Sequence, residues 1–247
     1  MNNLSGVTMK RLHILFSLTS LSVVLVTIER FSFTTKVLLQ PYSFLRLHEI
    51  IQILVLILAT VIIPFFLFKA VTNDFSLLKT SRKNLFLGVS FIVGIYFYAS
   101  GNAFHELASF LLNQYCDVDK VSGGLCESLF FNDYYTGNIL YFIGAFLITV
   151  PLILLEIAQP RHIMVKRDFW LLVPNCLIYA LAIIAYAAFD RVLVGLVYTV
   201  VTTLVIVAIL FVQRKKFLQL PVTNYMAVTY VVGMIVACVV RFHFLPF

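Results

Sequence analysis

The chain contains few charged residues and lacks the linear motifs of common soluble enzymes. Only 12% of its 247 residues are charged, whereas 62% are hydrophobic, and the mean hydropathy is +1.00. Soluble globular domains carry about 25% charged residues, so this composition excludes a soluble fold. The sequence has no His-Glu-x-x-His, Cys-x-x-Cys, Walker loop, nucleophile elbow or dinucleotide fingerprint. No reaction therefore follows from a motif alone.

Seven apolar stretches are the main positive feature of the sequence. A bilayer core ~30 Å thick needs about 20 residues of α-helix at ~1.5 Å rise per residue. Because the backbone in lipid must satisfy its own hydrogen bonds, we expect helices rather than strands. The predicted fold class is all-α, a polytopic seven-helix transmembrane bundle that forms a single domain over residues 1–247. The predicted helices cover residues 12–28, 47–68, 85–112, 135–156, 169–189, 192–212 and 225–240.

The basic residues lie mainly in alternate loops, which predicts the orientation of the chain. If the amino terminus is cytoplasmic, the inner loops hold twice as many Lys and Arg residues as the outer ones, including clusters at 161–167 and 214–216. The positive-inside rule favours this orientation. We therefore predict a multi-pass protein of the plasma membrane with a cytoplasmic amino terminus. The net charge of +7 is explained by topology, and no nucleic-acid partner is expected.

Two of the four cysteines flank a short polar segment in the longest predicted outer loop. Between Cys116 and Cys126 lies a Ser-Gly-Gly sequence at 122–124, which favours a sharp turn. Because the outer side is oxidising, we predict a disulfide between Cys116 and Cys126, with two unpaired loop thiols as the alternative. Cys176 and Cys238 lie within predicted helices, where cysteine usually acts as a small apolar residue.

The third predicted helix carries polar side chains at intervals of three and four residues. This spacing places them on or near one face of the helix. Since polar groups are costly in lipid, we expect this polar stripe to face other helices or water. Alternatively, His105 and Glu106 lie near the surface and Asn102 only joins two helices. The polar stripe consists of Tyr98, Asn102, His105, Glu106, Ser109 and Asn113.

Other polar residues at the outer helix ends are expected to converge on the polar stripe. An ionisable side chain facing lipid is unfavourable by ~2.5–3.5 kcal/mol on insertion scales, so such residues at one depth should face each other. The candidate metal ligands are His48, His105 and His243, and the candidate catalytic residues are Glu106 and Asp133. The other predicted pocket residues are Glu49, Asn102, Ser109 and Asn138.

Two further segments lead to expectations about the membrane surface. Residues 31–44 are too polar to span and too apolar for a free loop. We expect them to lie along the outer interface, with Pro41 preventing a helix. We expect His13, among basic residues near the inner surface, to be solvated or to contact lipid head groups. The inner helix ends show no polar cluster comparable to the outer one.

Three classes of function are consistent with the predicted pocket. Three nitrogen or oxygen ligands with an open position form a catalytic zinc site, beside which a carboxylate serves as general base. The first class is a metal-dependent enzyme that acts on a lipid or lipid-linked substrate, with a divalent metal such as zinc as the candidate cofactor. The second is a transporter or an ion- or proton-translocating subunit using His105 and Glu106. The third is a non-catalytic membrane subunit or receptor-like protein.

The predicted architecture is similar to that of the seven-helix metal hydrolases, a family that includes ceramidases and adiponectin receptors. The resemblance rests on seven helices, a cytoplasmic amino terminus, and histidines in an early helix and at the last one. Members of that family carry two histidines one turn apart on the last helix, whereas this sequence has His243 alone there. The resemblance is therefore one of architecture and assigns no site residue.

Overall fold

The structure is a computed structural model and describes residues 9–159 and 163–244. It is 84% helical, and the described residues contain no β-strand. One isolated β-bridge pairs Leu38 with Arg46. Arg161, part of a predicted inner basic cluster, lies outside the described residues. The all-α fold class predicted from composition is confirmed.

Nine α-helices and three π-helical turns occur in the described part of the chain. The first half contains α1 (Met9–Glu29), α2 (Leu47–Ile51), the π turn Gln52–Leu56, α3 (Ile57–Val71) and α4 (Arg82–Tyr115). The second half contains α5 (Gly124–Phe131), the π turn Asn132–Gly137, α6 (Asn138–Ala158), α7 (Lys166–Phe189), α8 (Val194–Val212), α9 (Pro221–Val239) and the π turn Val240–Phe244.

Seven helical spans within residues 9–159 and 163–244 are long and apolar enough to cross a membrane. Three of these spans are the single helices α4, α7 and α8. The first span, Met9–Lys36, extends α1 to Lys36, and the last, Pro221–His243, extends α9 into the π turn that follows it. The other two, Leu47–Val71 and Gly124–Ala158, are pairs of helices joined through a π turn. The predicted seven-helix bundle is therefore confirmed, whereas its extent as a single domain over residues 1–247 stays a prediction.

Successive spans run in opposite directions, so their ends form two groups. We call one the disulfide end, because it holds the bonded pair Cys116 and Cys126, which confirms the predicted disulfide. The other is the basic end, which holds the 3-10 helix Arg214–Gln219. All three π turns lie at the disulfide end. Two occur near the start of spans that begin there, and the third occurs at the end of the last span. Which end faces the cytoplasm stays a prediction.

Close packing of α4 against α6 positions the polar residues of the disulfide end. Gly101 contacts the backbone of Tyr141, and Gly144 contacts the backbone of Tyr98. A Cβ atom added at Gly137 would lie 2.8 Å from Cα of His105. Small residues at such contacts let two helix backbones approach closely. The π turn Asn132–Gly137 is thereby held directly against α4.

Hydroxyl groups lie in pairs within the centre of the bundle. The Tyr141 hydroxyl donates to that of Tyr98 at 3.0 Å, and the hydroxyls of Tyr198 and Tyr230 are also hydrogen-bonded. At the level of α1, a third pair joins Ser20 and Tyr225 at 2.6 Å. Because an unpaired buried hydroxyl is costly, pairing across helices stabilises the packing that brings them together.

The basic end contains buried polar contacts that the sequence did not predict. Glu156 is fully buried, and its carboxylate accepts hydrogen bonds from the backbone of Val222 and Thr223, each at 2.8 Å, at the first turn of α9. His13 is also buried, with Nε2 3.1 Å from Oδ1 of Asp168. The expectation that His13 is solvated or contacts lipid head groups is therefore wrong, because α7 places a carboxylate beside it.

Candidate functional site

A cavity of about 550 Å³ lies between α1, α4, α6 and α7 at the disulfide end. We call it the polar cavity. Its polar wall includes Asn102, His105, Glu106, Ser109 and Asn113 of α4. Its apolar wall includes Val23, Val26, Phe142, Ala182, Ala185 and Phe189. The cavity therefore offers a ligand one surface for a polar group and another for a hydrocarbon chain.

The polar stripe of α4 faces the interior as its periodicity predicts. Five of its six residues line the polar cavity, and the sixth, Tyr98, is buried beside it. On the opposite face, Phe104 and Leu107 are 47% and 48% exposed. The helix thus turns its apolar face outward, as a helix in contact with lipid does.

His48 lies between carboxylates from two other spans. Its Nδ1 contacts Glu29 at the end of α1. Its Nε2 lies 3.3 Å from Oε2 of Glu106 on α4. His48 is 5% exposed and Glu106 3%. Within the described part of the chain, Oε1 of Glu106 has no hydrogen-bond partner, so this carboxylate is not fully satisfied.

Glu49 completes a group of three potential metal ligands. Ligand atoms of His48, Glu49 and Glu106 all lie within 4.8 Å of one another. Glu49 is fully buried. Its carboxylate accepts hydrogen bonds from Nε of Arg46 at 2.7 Å and from the backbone N–H of Arg46 at 2.8 Å. Glu49 does not line the polar cavity itself. A metal at this group would share Glu49 with Arg46.

His105 is held by partners on both ring nitrogens. Nη2 of Arg30 donates to Nε2 at 2.9 Å. Because a guanidinium has no acceptor, Nε2 carries the lone pair and Nδ1 carries the proton. Nδ1 donates to the backbone carbonyl of Asp133 at 3.1 Å, with Oδ1 of the same residue 2.7 Å away. Asp133 thus fixes the orientation and tautomer of the ring, as a carboxylate does for catalytic or metal-binding histidines.

The remaining predicted residues divide between the cavity and its surroundings. Asn138 lines the cavity and donates to Oδ2 of Asp190 at 3.3 Å. Asn102 is buried in the wall, and its Oδ1 has no partner among the described residues. His243 has an exposed side chain beyond α9 and is not among the cavity residues. The structure therefore brings His48 and His105 to one cavity and leaves His243 outside it.

Several residues of the site were not predicted as members. Glu29 and Arg30, at the end of α1, contact His48 and His105, although the sequence suggests only a helix boundary there. Asp190 and Arg191 belong to the short link between α7 and α8 and also line the cavity. Their position at the same membrane end as the predicted residues is the only signal in the sequence that could have identified them.

Asp190 is an acidic group of the cavity that lies between two spans. Burial raises the pKa of its carboxyl above the ordinary value of 3.8, because desolvation disfavours the charged form. The backbone N–H groups of Val192 and Arg191 and the nearby charge of Arg30 oppose this effect on the pKa. Burial nevertheless prevails, so protonation of Asp190 starts at a higher pH than for a free carboxyl.

Two of the three π turns adjoin the site. Gln52–Leu56 follows directly on the helix that carries His48 and Glu49, and Asn132–Gly137 contains Asp133. In the first, the Gln52 amide donates to the carbonyl of Val26 at 2.8 Å and so ties α1 to this region. π turns occur frequently at functional sites, because the extra residue redirects side chains.

Comparison with known proteins identifies no relative. No protein-family model matches the chain, and neither a curated protein nor a solved structure is significantly similar to it. The structure is that of a membrane-spanning helical protein with a candidate His/Glu metal-binding group.

Proposed function

We propose that this protein is a membrane enzyme that binds a divalent metal at His48, Glu106 and Glu49 and acts on a lipid or lipid-linked substrate. The observation that carries this proposal is the position of His48 between Glu29 and Glu106, beside a cavity with one polar and one apolar wall. The contacts of His48 and the cavity must be taken together, since ion pairs are common and apolar cavities often have no chemical function.

The geometry of His48 and Glu106 supports metal binding. Two ligands at ~2.0–2.1 Å from a tetrahedral zinc ion are roughly 3.3–3.4 Å apart. The observed separation of Nε2 of His48 and Oε2 of Glu106 is 3.3 Å. Glu29 contacts the other ring nitrogen, and a carboxylate in that position orients the imidazole and strengthens it as a ligand.

The residues around the group suit a hydrolytic reaction. A divalent metal at this position would polarise a scissile group and activate water. Nε2 of His105, which carries a lone pair, is the group in the wall best suited to accept a proton. Asp133 keeps that ring oriented. The apolar wall would hold the hydrocarbon part of the substrate and exclude water from it.

We also propose that the disulfide end faces the outside of the plasma membrane. A disulfide persists in an oxidising environment, which supports an outer position for Cys116 and Cys126. The basic residues of Arg214–Gln219 at the other end agree with a cytoplasmic location. The proposed reaction would then act on the outer leaflet.

The decisive experiment is metal analysis of the purified protein. Wild-type protein in detergent, loaded with zinc and passed through a desalting column, should retain about one equivalent per chain by mass spectrometry of the metal. His48→Ala and Glu106→Gln should each lower the retained zinc at least tenfold, since loss of one ligand of three weakens binding strongly.

His243→Ala is the matched control for this experiment. It removes an imidazole at the same membrane end but outside the polar cavity, so zinc retention should equal that of the wild type. Equal retention by all four proteins, or no retention by wild-type protein at neutral pH, would contradict the proposed metal site.

One observation favours ion or proton translocation as a second candidate. Tyr141 and Tyr186 line the polar cavity. The Tyr141 hydroxyl bonds to that of Tyr98, and a second hydroxyl pair, Tyr198 and Tyr230, lies close to the ring of Tyr186. Such groups can pass protons along hydrogen bonds. Proteoliposomes would test this: a pH-driven proton flux that Tyr230→Phe abolishes supports transport, whereas a membrane that stays proton-tight contradicts it. A non-catalytic or receptor-like role stays the third prediction.

A further inference from the structure

Arg30 is a cation of the polar cavity, and its side chain bonds to a neutral ring. Its guanidinium donates to Nε2 of His105 at 2.9 Å. Among the described residues, Arg30 forms no salt bridge with a carboxylate. Because His105 accepts this bond through a lone pair, the ring does not offset the charge of Arg30. The positive charge of Arg30 is therefore available to an anion in the cavity.

The two other arginines of the cavity have different partners. Arg46 is bound to the buried carboxylate of Glu49. Arg191 donates to the carbonyl of Val118 at 2.9 Å and lies 3.7 Å from Oδ1 of Asp119. Arg30 thus differs from both, since only its guanidinium projects toward the proposed catalytic residues without an acidic partner.

Phe31, next to Arg30 in the chain, lies at the exposed edge of the cavity. Phe31 lines the polar cavity and is 88% exposed. Aromatic side chains are enriched where the bilayer meets water. We therefore expect Arg30 to lie at the depth of lipid head groups, with Val23 and Val26 of the apolar wall one to two turns further into the span. An amphiphile with its charge at Arg30 would have its chain along that wall.

We infer that the polar cavity binds the anionic head group of a lipid through Arg30. This inference rests on the proposed function and specifies its substrate. The substrate would be an amphiphile whose head group carries a net negative charge on a phosphate or carboxylate, and not a neutral or zwitterionic lipid. A metal at His48 and Glu106 would offset the nearby acidic residues and reduce their repulsion of the anion. Bidentate contact with phosphate or carboxylate suits the planar guanidinium.

The test is a binding measurement with defined short-chain lipids. Purified protein in a non-ionic detergent is titrated with short-chain phosphatidic acid, with phosphatidylcholine of the same chain length and with inorganic phosphate. We expect phosphatidic acid to bind at least tenfold more tightly than the other two. Arg30→Gln should weaken phosphatidic acid binding about tenfold, the effect of one lost charge-assisted hydrogen bond pair, and Arg30→Lys should retain part of it.

Lys36→Gln is the control, because it removes one positive charge six positions along from Arg30 at an exposed position outside the cavity. It should bind phosphatidic acid like the wild type. Arg30→Gln should also retain zinc. Loss of lipid binding can therefore be distinguished from loss of the proposed metal site. Unchanged binding in Arg30→Gln, equal loss in Lys36→Gln, or equally tight binding of inorganic phosphate would each overturn the inference.

Discussion

Nε2 of His48 lies 3.3 Å from Oε2 of Glu106, although these residues belong to different spans. Each is almost fully buried, and Glu29 contacts His48 from a third span. The three side chains thus join the first three spans at the disulfide end. A buried ion pair of this kind is costly to desolvate, so its presence is weak evidence for a contribution to stability and is compatible with the proposed metal site.

Removal of Glu106 should destabilise the protein even without metal. Glu106→Ala leaves His48 without the partner of Nε2, and breaking a buried pair costs about 3–5 kcal/mol. Thermal unfolding in detergent with a chelator present would measure this. Glu127→Ala, at an exposed position of α5, should change the unfolding temperature little. Equal unfolding temperatures for both variants would show that the pair contributes no stability.

Removal of Glu156 should destabilise the basic end without affecting the proposed site. Its carboxylate accepts bonds from the backbone of Val222 and Thr223 and from the Thr223 hydroxyl. Glu156→Ala leaves these buried donors unpaired, at about 1–3 kcal/mol for each donor left without a partner. Glu156→Gln keeps one acceptor oxygen and should lose less. Both should retain zinc like the wild type, and a loss of zinc would contradict the separation of the two ends.

Substitution of Gly137 should disturb the approach of the π turn to α4. A Cβ atom there would lie 2.8 Å from the backbone of His105, so Gly137→Ala requires the two segments to separate. Overpacking of this kind costs about 1–3 kcal/mol. Unfolding in detergent would measure the loss. Gly124→Ala is the control, since no atom lies within 4 Å of its added Cβ, and it should be neutral or slightly stabilising. Equal effects of both would refute the steric explanation.

The raised pKa of Asp190 predicts the direction in which stability changes with pH. Burial raises the pKa of this carboxyl in the folded state. Its contribution to stability is therefore fully present below the unfolded-state pKa of 3.8, and it is lost as the pH rises through the folded-state pKa. At neutral pH the buried charge is therefore unfavourable. Asp190→Asn should raise the unfolding temperature at neutral pH, and the difference from wild type should shrink toward about pH 4. A difference that grows on acidification would contradict the direction of the shift.

The proposed orientation can be tested by labelling intact cells. After mild reduction, an impermeant thiol reagent should label Cys116 or Cys126, because the disulfide end is expected outside. A cysteine introduced by Lys215→Cys at the basic end should react only after the cells are permeabilised. Labelling of Lys215→Cys on intact cells, with no labelling of Cys116 or Cys126, would reverse the orientation.

The sequence by itself determined the spans, the disulfide and the inward face of α4. Hydropathy identifies spans because the bilayer imposes one length and one solvent on each of them. The polar stripe is visible because its spacing repeats within one helix, and Asn102 and Glu106 need no distant residue to share a face. For the same reason, Cys116 and Cys126 could be paired from one short loop. Each of these features is local in the chain.

Tertiary structure alone decided which polar residues meet. Glu29 and Arg30 contact His48 and His105, and nothing near them in the sequence indicates it. His13 pairs with Asp168, and His243 lies outside the cavity it was expected to join. Helix rotation and tilt follow from close contacts such as Gly137 against His105. Hydropathy specifies that a helix spans the membrane, but it carries little information about rotation, and rotation determines which side chains share a cavity.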